Sequence, residues 1–220
     1  MNRRRKASLW KANGLSIVLL SIFLSCLVGQ FVAGRAAWND ELSRKGEPAL
    51  TPTEYFESGH FVGATFENWE SEFLQMGMYV LLTVWLRQRG SAESRPMNPA
   101  DEEQEIREGP KPWPVRAGGI WRTLYSHSLS SALFFLFALS FGFHALGSVA
   151  HQNAERRMEG LPAVTLSEHL RGAEFWFESL QNWQSEFLAV LALVLLSIVL
   201  RQDRSPQSKP VDAPHSQTGT

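Results

Sequence analysis

Four uncharged apolar runs set between strongly polar connectors dominate the pattern of hydrophobic and polar positions along this chain. Leu15 to Ala33 holds nineteen residues without a charge, and Ser128 to Ala150 is a second long run of the same kind. Each is long enough to cross a bilayer as a helix. Phe73 to Leu86 and Phe187 to Leu200 hold only fourteen residues before an arginine. A perpendicular helix needs about twenty residues to cross roughly 30 Å of hydrocarbon, so a span ending at Arg87 or Arg201 has to begin near Glu67 or Gln181. The pattern predicts an all-α polytopic membrane fold with four transmembrane helices near 14–33, 68–87, 128–148 and 182–201.

The two shorter runs are entered through the same words. Asn68-Trp69-Glu70-Ser71-Glu72-Phe73-Leu74 reappears as Asn182-Trp183-Gln184-Ser185-Glu186-Phe187-Leu188, an offset of 182 − 68 = 114 residues. Applied without a gap, the offset also pairs Leu15-Ser16 with Leu129-Ser130, Gly46-x-Pro48-Ala49 with Gly160-x-Pro162-Ala163, and Leu86-Arg87-Gln88 with Leu200-Arg201-Gln202. About a third of the paired positions are identical, more than shared apolar composition produces, so the chain reads as a tandem two-helix repeat. The repeat also decides how the N-terminus is read. A basic segment before an apolar run is the pattern of a signal peptide. Its partner run lies mid-chain, where no signal peptide can be, so both runs are expected to be retained helices. Between the runs of each half, Thr51-Pro52-Thr53-Glu54 and Thr165-Leu166-Ser167-Glu168 have the capping-box pattern. They predict a short helix outside the hydrocarbon in each half, ending near Gly59 and near Gly172, and capping explains Glu54 and Glu168 fully.

A mean hydropathy of −0.16 looks like a soluble chain only because it averages these runs with the connectors. Cys26 is the single cysteine, so no disulfide framework holds the parts outside the bilayer. The net charge of −1 carries no information about partners, whereas the placement of lysine and arginine does. The N-terminal segment holds five, the central connector seven and the C-terminal tail three, which is fifteen of the twenty-one, and the two remaining loops hold three each. Both termini and the central connector are therefore expected in the cytoplasm. Trp10, Trp121 and Trp85 then fall at the inner membrane boundary, and Trp69 and Trp183 at the outer one, as interfacial anchors. The expected organisation is a cytoplasmic segment 1–13, a first two-helix repeat 14–88, a flexible cytoplasmic linker 89–121, a second repeat 122–202 and a disordered tail 203–220. Each half starts and returns inside, so the repeats are parallel and related by an axis along the membrane normal.

Candidate chemistry comes from the repeated motif. On a helix Asn68, Ser71 and Glu72 share one side, as do Asn182, Ser185 and Glu186, and lipid accepts neither set. They are expected to face the bundle, with Glu72 and Glu186 at equal depth as a pair able to hold a proton or a cation. Hydrogen bonding that only fixes helix packing is the competing reading. Histidines 60, 127, 144, 151, 169 and 215 have no histidine at the repeat-related positions, so neither haem nor a metal site is expected, and His144 is read as a packed or interfacial residue. Motifs for nucleotides, nucleophilic hydrolysis or nucleic acid are absent, which makes enzymatic activity the less favoured class and excludes a nucleic-acid partner.

The run Ser58-Gly59-His60-Phe61-Val62-Gly63-Ala64-Thr65-Phe66-Glu67-Asn68-Trp69-Glu70-Ser71-Glu72-Phe73-Leu74-Gln75-Met76, continuing through Thr83-Val84-Trp85-Leu86-Arg87-Gln88-Arg89-Gly90-Ser91-Ala92-Glu93-Ser94, resembles an uncharacterised family of bacterial inner-membrane proteins, a domain of unknown function. The similarity extends from about Leu9 to Arg201. The resemblance implies a bacterial cell-membrane location and brings no activity, ligand or cofactor. The functional expectation is a small ion or proton carrier or channel using Glu72 and Glu186, with the bilayer as its surroundings and a homo-oligomer such as a dimer compatible with so narrow a bundle. The alternative is a structural or protein-interaction membrane protein whose polar motif only packs helices. A membrane redox enzyme is the third and weakest class.

Overall fold

In the computed structural model, residues 9–102, 106 and 108–219 are described. Arg3, Arg4, Arg5 and Lys6 of the basic N-terminus, and Glu103, Gln104, Glu105 and Arg107 of the central connector, lie outside the described residues. Among the described residues every regular element is helical: α1 (Leu9–Arg44), α2 (Pro52–Phe56), α3 (Gly59–Trp85), α4 (Trp113–Ala117), α5 (Gly119–Ser126), α6 (Ser128–Met158), α7 (Leu166–His169) and α8 (Ala173–Val199), with a single 3-10 turn at Pro99–Asp101. Three of them, α1, α6 and α8, are long and apolar enough to cross a membrane. Helix α3 is equally long as α8 but carries Glu67, Glu70 and Glu72 in its first half, which dilute its apolar stretch.

The chain divides into two compact units, residues Met1–Ala64 with Gly147–Val164, and Thr65–Leu146 with Thr165–Thr220. In the first, Trp38, Leu42, Tyr55 and Phe61 form the core, with Leu27, Phe31, Leu50 and Met158 packed against it. Phe31 meets Tyr55 and Phe61 edge-on at centroid distances of 5.4 and 5.3 Å. The polar turns around this core are closed by side chains that take over backbone hydrogen bonds. Asn39 accepts from Leu50 N at 2.8 Å and donates to Leu50 O at 3.1 Å, and Asn153 does the same to Val164 at 2.8 and 3.0 Å. Gly59 and Gly147 let two helix backbones approach: a Cβ on Gly147 would lie 2.7 Å from Gly63 Cα and 2.9 Å from Val62 C. Only residues without a side chain permit that separation.

In the second unit the ends of α3 and α8 are finished in one way. Arg87 donates to the carbonyls of Thr83, Val84 and Leu86, and Arg201 to those of Ser197, Ile198 and Leu200, satisfying acceptors that a helix end leaves unpaired. Gln88 N then donates to Ser94 Oγ and Gln202 N to Ser208 Oγ, both at 2.9 Å. Lys209 folds back so that its ammonium donates to the carbonyls of Ile198, His215 and Gln217 at 3.3, 3.0 and 2.9 Å. Both capping boxes form: Thr51 and Thr165 accept from the backbone N–H of Glu54 and Glu168, and each glutamate accepts from the threonine N–H at 2.7 Å. The Glu54 carboxyl is consequently held below its usual pKa, chiefly by the backbone hydrogen bond from Thr51.

Polarity is inverted relative to a water-soluble core. Twelve polar or charged residues are buried against seven hydrophobic ones among the described residues, while Leu15, Val28, Val32, Phe135, Leu188 and Val199 of the long helices are more than half exposed. A chain folded for water alone would not leave that much large apolar surface outside.

Candidate functional site

The buried polar residues of the second unit converge from three helices. Helix α3 contributes Glu67, Glu70 and Ser71, which share a side at i, i+3 and i+4. Helix α6 contributes Ser140 and His144, one turn apart, and both are buried. Helix α8 contributes a stripe at Phe175, Glu178, Ser179, Asn182 and Trp183, the i, i+3, i+4, i+7, i+8 spacing of one helix face.

At the centre His144 Nδ1 lies 3.1 Å from Glu70 Oε2, and Nε2 lies 3.8 Å from Glu178 Oε2. The side chains of His144 and Glu70 are 1% and 0% exposed, whereas Glu178 is 38% exposed, so the cluster is sealed at one end and open at the other. Glu67, His144 and Glu178 each offer one ligand atom, and the three atoms lie within 4.8 Å of one another. Phe175, fully buried, stacks on the imidazole at 4.9 Å and fixes its plane. Two donors orient the carboxylates. Trp183 Nε1–H donates to Glu70 Oε1 at 3.2 Å, and Asn182 Nδ2–H donates to Glu67 Oε1. The contact between His144 and Glu70 is in ion-pair range but off the N–H line. Both ring nitrogens, Glu70 Oε2 and Ser179 Oγ therefore have no aligned hydrogen-bond partner among the described residues.

The motif residues are distributed unevenly around this centre. Glu72 and Asn68 lie on the exposed side of α3, because two positions along a helix differ by about 200° and Glu72 points away when Glu70 points in. Glu186 is half-buried, and Glu72 is near enough for the two charges to interact. Gln75 Nε2 donates to Glu186 O at 3.2 Å, tying α3 to α8. Ser71 is buried and Ser185 exposed, each donating to the carbonyl three residues back, Asn68 O at 2.7 Å and Asn182 O at 2.8 Å. Among the tryptophans, Trp69 is half-buried and edge-on to Phe66 at 5.0 Å. Trp10, Trp85 and Trp121 are 62%, 67% and 51% exposed, Trp121 lying 5.3 Å from Trp113.

Glu67, Glu70, His144 and Glu178 were not among the residues singled out by the repeat, and their own positions explain why. Shifted by 114 residues they correspond to Gln181, Gln184, Gln30 and Ala64, none of which ionises. Attention to what recurs selects Glu72 and Glu186 and passes over the ionisable groups held by one half alone. The signal present in the sequence is the polar stripe of α8, which continues one turn above the motif to Glu178.

A second polar cluster lies in the first unit. Trp38 stacks on His60 at 5.0 Å and meets His151 edge-on at 4.8 Å, and the Tyr55 hydroxyl and His60 Nδ1 share a hydrogen bond of 2.9 Å. Burial, and after it the His151 charge, holds the His60 pKa below its ordinary value.

The family described as a domain of unknown function (DUF6766) matches residues 6–220. No curated protein and no solved structure matches the chain.

Proposed function

We propose, for a chain that belongs to the DUF6766 family and inherits no activity from it, a cation-handling integral membrane protein whose buried carboxylate and histidine centre receives the cation. The observation that carries this reading is the burial of Glu70 and His144, with Glu67 and Glu178 beside them, among helices of which two are long and apolar enough to span a bilayer. Ionisable side chains placed inside a membrane are costly unless partnered, and their usual reason is a bound or moving ion. Glu178, half-exposed, is the entrance, and Glu72 with Glu186 adds negative charge nearby on α3 and α8.

The membrane arrangement belongs to the same proposal: four spans from a duplicated two-helix unit, parallel halves, both termini cytoplasmic, in a bacterial inner membrane. Apolar exteriors on the long helices and a polar interior support it. Helix α3, 27 residues and so about 40 Å long, has the length for the fourth crossing. The duplication is supported by hydrogen-bond pairs that repeat at 114 residues: Asn39 with Leu50 and Asn153 with Val164, the two capping boxes, and the Arg87 and Arg201 helix ends. Lysine and arginine counts support the orientation.

Reconstitution tests the function. Liposomes loaded with proton- or metal-sensitive dye should show flux with the intact chain and lose it in Glu70→Gln and His144→Gln. Flux that survives both substitutions in folded protein sinks the proposed centre. The bonds from Gln75 to Glu186 O and from Asn182 to Glu67 favour a second reading, in which the polar residues only clamp α3 to α8. That reading predicts no flux in the intact chain and a lowered melting temperature for the same variants.

A further inference from the structure

We infer that Glu67, His144 and Glu178 form a binding site for a divalent transition-metal ion, with Glu70, Asn182 and Trp183 as the residues that orient those ligands. The inference deepens the reading above, on which it rests for the idea that the centre serves a cation, and names the class of that cation.

The argument starts from the donor set. One imidazole nitrogen and two carboxylates, each with an atom within 4.8 Å of the others, come from three different helices. Three ligands on one metal at bond lengths of about 2.1 Å stand roughly 3.4 Å apart in tetrahedral geometry, so closing the set asks for side-chain rotation, with the helices left where they are. Two carboxylates neutralise a dication, which offsets the cost of holding two negative charges beside a buried imidazole. Mixed nitrogen and oxygen donors suit zinc, manganese, iron or cobalt, whereas calcium and magnesium prefer oxygen alone.

The second and independent observation concerns His144. It is fully buried, and its Nε2 has no aligned hydrogen-bond partner among the described residues although it lies 3.8 Å from Glu178 Oε2. Its other nitrogen lies 3.1 Å from the Glu70 carboxylate, the place a metal-bound imidazole sends its N–H. With the ring turned so that this N–H lines up on the carboxylate behind it, the tautomer is fixed with the Nε2 lone pair toward the ion. Glu70 is in turn held by the Trp183 N–H and Glu67 by the Asn182 amide. An orienting partner therefore stands behind two of the three ligands, which packing alone does not require.

The experiment uses the full chain, purified in detergent with an affinity tag that contains no histidine, and titrates it with Zn²⁺ by calorimetry and with Co²⁺ by visible absorption. One ion per chain is expected. His144→Gln and Glu178→Gln should abolish that binding, and Trp183→Phe should weaken it about 10-fold to 100-fold. His60→Gln combined with His151→Gln should leave it unchanged. No binding, or binding that survives His144→Gln in folded protein, overturns the inference. If His144→Gln and Glu178→Gln both fail to fold, X-ray absorption of the Zn²⁺-loaded intact chain decides, since a single imidazole with oxygen ligands is required. Failure here is distinguishable from failure of the functional reading. Flux without metal binding leaves a cation carrier for another ion, and metal binding without flux leaves the site and removes the carrier.

Discussion

Trp183→Phe isolates one hydrogen bond of the buried centre, and the tryptophan at the matching motif position supplies its control. The indole N–H donates at 3.2 Å to Glu70, whose side chain is fully buried, so the carboxylate oxygen left behind has no water to replace the donor. A hydrogen bond to a charged group contributes about 1.5–3 kcal/mol, and phenylalanine keeps most of the ring's apolar contact with Phe137 and Trp176. Trp69 stands 114 residues earlier, where the counterpart of Glu70 is the neutral Gln184. A hydrogen bond between neutral groups contributes about 0.5–1.5 kcal/mol, so Trp69→Phe, at the position whose matching acceptor is neutral, should be the milder change. The assay is reversible unfolding of the detergent-solubilised chain by SDS, followed by circular dichroism. In the double variant Trp183→Phe with Glu70→Gln, most of the penalty should disappear, giving a coupling of about 1 kcal/mol or more. Equal losses for the two tryptophans together with zero coupling would falsify the claim that the Trp183 N–H is held by Glu70.

Other outcomes follow from the same geometry. Gly147→Ala should destabilise by about 1–3 kcal/mol, because its Cβ would lie 2.7 Å from Gly63 Cα and must force two helix backbones apart. Gly59→Ala strains the same approach, so the double variant should lose less than the two singles together, and strict additivity in the SDS assay would count against a shared contact. Thr51→Ala and Thr165→Ala should each cost about 1 kcal/mol and speed amide exchange in Pro52–Phe56 and Leu166–His169 alone. The unfolded chain binds protons at His60 more readily than the folded one, since burial first and His151 next hold the folded pKa low. Stability from His60 is thus present above the unfolded value of about 6.5 and is lost as pH falls through the folded pKa. Protection factors in the α2 region, which correct for the slowing of intrinsic exchange in acid, should fall on acidification below about 6.5, and His60→Gln should flatten that fall.

The hydrophobic pattern and the repeat were enough to read the all-helical class, the two capped short helices and the long apolar helices α1, α6 and α8, because each depends on periodicity or on residues a few positions apart. The capping boxes are local by nature: the threonine and the glutamate three residues on meet whatever the rest of the chain does. Candidate chemistry was legible only in part. The motif pointed to the right stretch of α3 and α8, and Asn182 and Trp183 do reach the buried centre.

Which side of α3 turns inward was decided by tertiary packing. Both sides are polar, Asn68 and Glu72 on one and Glu67, Glu70 and Ser71 on the other, so the helical period alone gives them equal claim. Packing against His144 and the Phe175 face of α8 buries Glu70 and leaves Glu72 outside. His144 is the second residue that only the fold could assign, since a histidine gains carboxylate neighbours from helices that begin 85 residues before it and 29 after it in sequence. Periodicity determines what each helix can bury, and the neighbours that arrive from elsewhere in the chain determine what it does bury.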